Sequence, residues 1–346
     1  MMSKTYKPRS RKELRKLVSD PSVCLGDIDT SLITDMSCLF CDLERQNFDG
    51  LETWDTSNVT TMERMFYRTK HFNHPVGNWN VSSVTNMALL FCGCSDFNQP
   101  LENWDVSSVT NMESLFGGCS NFNQPLETWN ISKVKTIACM FCEAARFNQP
   151  LGKWDTSGVR NMSWTFAGCS AFDQNIDTWD TSNVTSMKGM FCDTSHFNQP
   201  LGDWNVSSVT NMREMFCGAS RFNQPLNDWN VSNVENMMRM FDAAEHFDQP
   251  LDHWDVSKVK DMAGMFCGAT AFRQPITAWK LRDQSPKGIF HRAPQYDDME
   301  SRVMCLAALD SETMTYAMED MIQTFGEKAV HDALRHYGAK YGLKEY

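Results

Sequence analysis

Apolar residues recur along this chain on a strict beat. Tryptophan stands at 54, 79, 104, 129, 154, 179, 204, 229, 254 and 279, always 25 residues apart, and only Trp164 falls outside the register. Phenylalanine fills two further columns at the same interval, from Phe66 to Phe266 and from Phe72 to Phe272. Ile28, Met36 and Phe40 extend the pattern upstream with one inserted residue. A fixed period of this length predicts a solenoid, each coil burying its apolar side on the next.

Within a coil the spacing changes halfway. "LENWDVS" places Leu101, Trp104 and Val106 as a leucine-rich-repeat strand would, with Asp105 and Ser107 on the opposite side. "VTNMESLFGGC" then sets Val109, Met112, Phe116 and Cys119 at the stripe spacing of a short helix, which Ser107, Ser108 or Thr110 can cap and Gly117-Gly118 can end. Pro125 and its equivalents suit an extended return. Strands stack about 4.8 Å apart and helices 8–10 Å, so such coils predict a curved stack with the strands concave. The expected fold is α/β: a curved leucine-rich-repeat-like solenoid of about ten 25-residue coils with helical end caps.

The ends read differently. Residues 1–27 contain "RSRKELRKLVS", an amphipathic helix from near Ser10 with Leu14, Leu17 and Val18 on one side, expected to cap the solenoid of residues 28–282. After Trp279 the wording breaks into a linker-like stretch, then three predicted helices over 297–309, 312–325 and 327–339. Ser311 is the expected N-cap of the second and Gly326 its stop, with Met314, Met318, Met321 and Ile322 along one face. Residues 283–346 are thus a C-terminal helical cap or a small appended module for dimerisation or effector contact.

Charge narrows the partners. The net charge of −11 is uneven: residues 1–27 carry seven Lys/Arg against three Asp/Glu, and residues 28–282 carry 18 against 29. An acidic body argues against nucleic acid, which needs clustered cations, and leaves basic proteins or peptides open. No stretch approaches the ~20 apolar residues of a membrane span. The first thirty residues hold no apolar run of signal-peptide length, from which a cytoplasmic location is expected.

Thirteen cysteines sit mostly at repeat positions where other coils carry Ala, Gly or Thr, which predicts reduced, mostly buried thiols. Two CxxC pairs, Cys38–Cys41 and Cys139–Cys142, lie too far apart along the array to share a zinc ion. No metal and no cofactor is expected. The N-x-S/T triplets headed by Asn58, Asn80, Asn130, Asn161, Asn183, Asn205 and Asn230 follow from the repeat wording itself. Histidine is scarce, and no coil carries a Ser/His/Asp set, paired carboxylates or a phosphate loop, so no catalytic residue is assigned.

Binding candidates lie in columns that vary while their neighbours stay fixed. Before the second Phe stand His71, Asp96, Asn121, Arg146, His196, Arg221 and His246; before Trp stand Lys153, Asp203, Asp228 and His253. Trp164 is added as the one Trp off the register, at a position held elsewhere by Arg64, Arg239 or Gly189. The Asp/Asn column that follows each Trp, such as Asp55, Asn80 and Asp105, reads instead as a turn-forming Asx ladder.

The unit FNQPLxxWDVSxVTNMxxMF, with "GDIDTSLITDMSCLF" upstream, resembles the BspA-like leucine-rich-repeat surface protein family, whose 25-residue unit is also known from mycoplasma lipoproteins. The likeness runs from residue 26 to about residue 279. It implies a non-enzymatic role in adhesion, on a cell surface or secreted, bound to a host or neighbouring-cell protein. The expectation is a protein-binding repeat scaffold presenting an extended acidic surface to a protein partner.

Overall fold

The computed structural model describes residues 4–276 except 42 and 44, together with 278–279, 318, 321–322, 326–341 and 343. The chain divides into two units, residues 1–183 and 184–346.

The first unit opens with helix α1, Arg11–Val18. Ser10 caps it by accepting the Glu13 N–H at 3.3 Å, and Leu14 and Val18 are buried. The coil of residues 101–125 shows how the rest of the unit is built. Leu101, Trp104, Val106, Val109, Met112, Leu115, Phe116, Cys119 and Phe122 are all buried. Three aromatic columns stack from coil to coil: Phe91 on Phe116 at 5.9 Å, Phe97 on Phe122 at 5.9 Å and Trp104 on Trp129 at 6.4 Å between ring centroids.

The backbone departs from the strand–helix expectation. Over 101–107 no coil-to-coil backbone bond is present, so the predicted strand has no ladder. The ladder lies where the helix was predicted. Asn111 bridges in parallel to Asn86 and Thr136, and the N–H groups of Met112, Ser114, Phe116 and Gly118 donate to Thr136, Ala138, Met140 and Cys142 of the next coil. The intervening N–H groups of Leu115, Gly117 and Cys119 turn back three residues within their own coil.

Left-handed residues produce this alternation. Two per coil, four residues apart, have positive φ, as at Ser114 (53°) and Gly118 (73°), and these interrupt any α-helix while swinging alternate N–H groups outward. The ring columns give the physical reason. Coils repeat at about 6 Å on every aromatic column, which leaves no side with the 8–10 Å that packed helices need. Within the described coils there is accordingly neither an α-helix nor a strand longer than an isolated bridge, and the leucine-rich-repeat layering is replaced by stacked turns.

The "NQ" found in five of the coils is a second ladder. Asn98 Oδ1 accepts the Asn123 N–H at 2.9 Å and the Gln124 side-chain amide at 3.0 Å, and Asn123 repeats this with Asn148 and Gln149. At the first coil α1 takes over the ladder. Arg11 donates to the Ser37 carbonyl and Arg15 to those of Leu39 and Cys41, which occupy the register that accepts N–H groups from a preceding coil elsewhere.

The second unit repeats the scheme. Met187, Gly189, Phe191 and Asp193 donate to Asn211, Arg213, Met215 and Cys217, and Phe216 stacks on Phe241 at 5.5 Å. Past the coils, helix α2 spans Glu327–Tyr337 with Val330 and Ala333 buried, within the predicted 327–339. Gly326 precedes it at φ 84°, and its N–H donates to the Ile322 carbonyl. The predicted helix 297–309 lies outside the described residues; of 312–325 only Met318, Met321 and Ile322 are described, all helical.

Candidate functional site

The candidate column before the second Phe is tied coil to coil by backbone bonds and varies in side chain; the column before Trp has no such bonds at Lys153, Asp228 or His253. The N–H groups of Asp96, Asn121 and Arg146 donate to Lys70, Ser95 and Ser120 one coil back, and in the second unit His246 donates to Ser220. His71, Arg146, His196, Arg221 and His246 are exposed, whereas Asp96 and Asn121 are half-buried. Lys153, Asp203, Asp228 and His253 are all exposed. Among the described residues Leu32 is the only large hydrophobic side chain that is exposed.

Several candidates pair with the neighbouring coil. His71 Nδ1 lies 2.8 Å from Asp96 Oδ2, Lys153 Nζ 3.1 Å from Glu127, and His253 Nδ1 3.7 Å from Asp228. His246 Nδ1 meets the Ser220 carbonyl at 2.7 Å. These groups do not converge on one point: they are rows along the coils. Trp164 is half-buried with φ 59°, so the off-register indole sits at a left-handed position of the turn segment. Near His71 an open hollow of about 420 Å³ is lined by residues 46–49, His71, Asn73 and His74. His74 is already held by Glu52 at 2.6 Å.

The Asx column makes turns. Asn80 Oδ1 accepts the N–H and hydroxyl of Ser82, and Asp55 and Asp105 receive their Ser the same way. The Ser hydroxyl, with the Ser N–H, holds the Asp55, Asp105 and Asp180 carboxyls below the ordinary range. No group of three or more His, Cys, Asp or Glu side chains able to hold a metal occurs among the described residues.

The thiols differ from expectation in two ways. Cys38 and Cys41 are joined in a disulfide, so not all are reduced. Of the rest, Cys94, Cys119 and Cys169 are buried, donating to the carbonyls of Phe66, Phe91 and Phe141, but Cys92, Cys139, Cys142, Cys192, Cys217 and Cys267 are half-buried and Cys24 is exposed. The half-buried ones lie in turn columns that point away from the aromatic core. Two groupings there were not found in the sequence. Cys192 and Cys217 share a hydrogen bond between adjacent coils. Arg239 pairs with Asp242 at 2.6 Å beside Glu214, itself 3.1 Å from Arg213. Comparing the columns 25 residues apart would have shown both.

The family described as "Mycoplasma protein of unknown function, DUF285" matches residues 14–128, 76–174, 112–220 and 196–302. The chain belongs to this family. The overlapping DUF285 matches tile α1 and the coils alike, which fits a unit that is the repeat rather than a fixed domain. No curated protein and no solved structure matches the chain. What the DUF285 repeat supplies in this chain is an aromatic core with polar rows carried on a fixed backbone.

Proposed function

We propose that this DUF285 protein is a non-enzymatic repeat scaffold that binds a basic protein partner through polar rows on its acidic coils. One observation carries the reading: at Asp96, Asn121 and Arg146 the backbone is tied coil to coil, yet the side chain differs each time. Side chains on a preorganised frame lose little ordering entropy on binding, so a row can be varied without cost to the fold. The excess of 29 Asp/Glu over 18 Lys/Arg in residues 28–282 favours a cationic surface opposite.

A photo-reactive residue at 96, 121 or 146 should cross-link to one protein, and excess unlabelled chain should suppress the product. Asp96→Lys should weaken it, and Arg146→Glu should not. Equal cross-linking from position 58, on another column, would sink the row as the binding element.

Location separates two versions of this reading. A cytoplasmic scaffold is supported by the ten described cysteines that carry free thiols. A BspA-like surface or secreted adhesin is the second version, favoured by the Cys38–Cys41 disulfide, since such bonds persist in oxidising surroundings. Fractionating native cells after thiol blocking decides between them: protein recovered with the envelope or medium supports adhesion, and protein in the cytosol removes it.

A further inference from the structure

We propose that Cys139 and Cys142 form a redox-responsive dithiol that closes to a disulfide within one coil by exchange with a small-molecule disulfide, Cys139 attacking first. Allowing for the inserted residue upstream, Cys38 stands in the column of Arg64, Leu89, Ser114 and Cys139, and Cys41 in the column of Cys142. Cys38 and Cys41 are bonded, with their Cα atoms 5.0 Å apart. The first cysteine of each pair is left-handed, φ 52° at Cys38 and 54° at Cys139.

The left-handed first residue comes from the coil and does not depend on cysteine, since Arg64, Leu89 and Ser114 share it. The Cys142 N–H turns back to the Cys139 carbonyl at 3.1 Å, as Cys92 does to Leu89 and Gly117 to Ser114, both also at 3.1 Å. Bonding at 139–142 therefore needs only a local change of this turn: the bonded Cys38–Cys41 pair has the same left-handed first residue, but its Cys41 N–H does not turn back to the Cys38 carbonyl. Gly117 and Ala167 fill the Cys142 column in the adjacent coils, so Cys139 is its partner.

The side chains divide the work. Cys142 donates its S–H to the Cys139 sulfur, and this bond, with a further one from Ser114, holds the Cys139 thiol down to about 7 against partial burial. The same bond and burial push Cys142 up. Both sulfurs are half-buried, unlike the enclosed thiols of Cys94, Cys119 and Cys169.

The exchange balances in two steps. The Cys139 thiolate attacks one sulfur of the small disulfide RSSR; an S–S bond forms to Cys139, and RS⁻ leaves and takes up the proton Cys139 lost. Capping Cys139 removes the thiolate whose bond raised Cys142. Cys142 then loses its proton, attacks the Cys139 sulfur and expels the second RS⁻, which is protonated in turn. Two cysteine thiols are oxidised by two electrons and one RSSR is reduced to two RSH.

The test uses the full native chain in buffers of graded oxidised-to-reduced glutathione, quenched with acid, alkylated and digested with trypsin. The peptide 136–146 carries Cys139 and Cys142 and no other cysteine. The expected result is loss of two hydrogens and of alkylation from this peptide as the oxidised share rises, while Cys92 still alkylates. With Cys142→Ser, Cys139 should stop at a stable mixed disulfide; with Cys139→Ser, Cys142 should gain glutathione far more slowly. A peptide 136–146 that takes two alkyl groups at every ratio overturns the proposal. So does faster glutathione addition at Cys142 than at Cys139. If either variant fails to fold, the wild-type titration alone decides.

Discussion

The indole N–H of Trp104 donates at 3.1 Å to the backbone carbonyl of Val76, which also accepts the N–H of Trp79 at 3.1 Å. All three residues are buried. The relationship recurs down the first unit, Trp129 to Leu101, Trp154 to Leu126 and Trp179 to Leu151, and in the second unit from Trp229, Trp254 and Trp279 to Leu201, Leu226 and Leu251. Trp is thus specified twice, by ring area that stacks and by a donor placed to reach the preceding coil. Trp104→Phe keeps an aromatic ring but leaves the Val76 carbonyl with one partner in place of two. A cost of about 1–2 kcal/mol is expected from the lost bond and ring area, read by urea denaturation. A midpoint equal to wild type would show that the indole donor contributes nothing.

The Phe columns carry more. Phe116 lies 4.0 Å from Phe122 in its own coil and 5.9 and 5.8 Å from Phe91 and Phe141 in its neighbours, centroid to centroid. Phe116→Ala opens a cavity shared by three coils, with about 3–5 kcal/mol lost. The same denaturation series checks it, and a loss under about 1 kcal/mol would mean the neighbouring rings close the gap.

Backbone handedness predicts two changes of opposite sign. Ala243 is exposed and left-handed at φ 55°, a conformation that favours glycine, so Ala243→Gly should stabilise by about 1 kcal/mol. Gly118 is left-handed at φ 73°, and a Cβ there would stand 3.3 Å from the Gly93 Cα, so Gly118→Ala should destabilise by about 1–2 kcal/mol. Thermal melts of both variants should move in opposite directions; parallel shifts would refute the turn geometry.

Acid should loosen the coils at their Asx turns. Hydrogen bonds from Ser hold Asp55, Asp105 and Asp180 below the ordinary carboxylate range in the folded chain. Their contribution is fully present above the unfolded value near ~4 and is lost as pH falls through the folded values. Asn80 and Asn130 form the same turn without titrating. The triple change Asp55→Asn, Asp105→Asn and Asp180→Asn should reduce the fall in melting temperature between about pH 7 and pH 3. An undiminished fall would place the acid sensitivity elsewhere.

Thiol reactivity should sort by burial. Burial pushes Cys94, Cys119 and Cys169 well up, and each thiol is spent on a Phe carbonyl, so none should alkylate in native protein at mildly alkaline pH. All three should label on unfolding. Native labelling of Cys119 at the rate of the exposed Cys24 would contradict the packing.

The core was legible because its columns repeat. Trp104, Met112, Phe116 and Phe122 were expected inside and are buried. The segment after Trp was misread because i, i+3, i+4, i+7 spacing serves an α-helix and a run of three-residue turns equally well. The second left-handed column held a clue, with Gly93, Gly118 and Gly168 among its members, yet Arg68 and Glu143 share it and hide the rule. Most candidate positions were legible as exposed, but Asp96, Asn121 and Trp164 are half-buried. Their pairings, such as His71 with Asp96, depend on which atoms of adjacent coils meet.

By itself the sequence determined the period, the buried columns, the polar rows and the N-terminal helix, because each follows from residue type and interval alone. Tertiary stacking decided the rest. Coils that repeat at about 6 Å exclude helices from every aromatic side, send alternate N–H groups to the next coil, and force two left-handed residues into each turn segment. It is that forced geometry, and not the letters CxxC, that brings the sulfurs of Cys139 and Cys142 together. A coil cannot know its neighbour's distance from its own residues, and distance is what chose between helix and ladder.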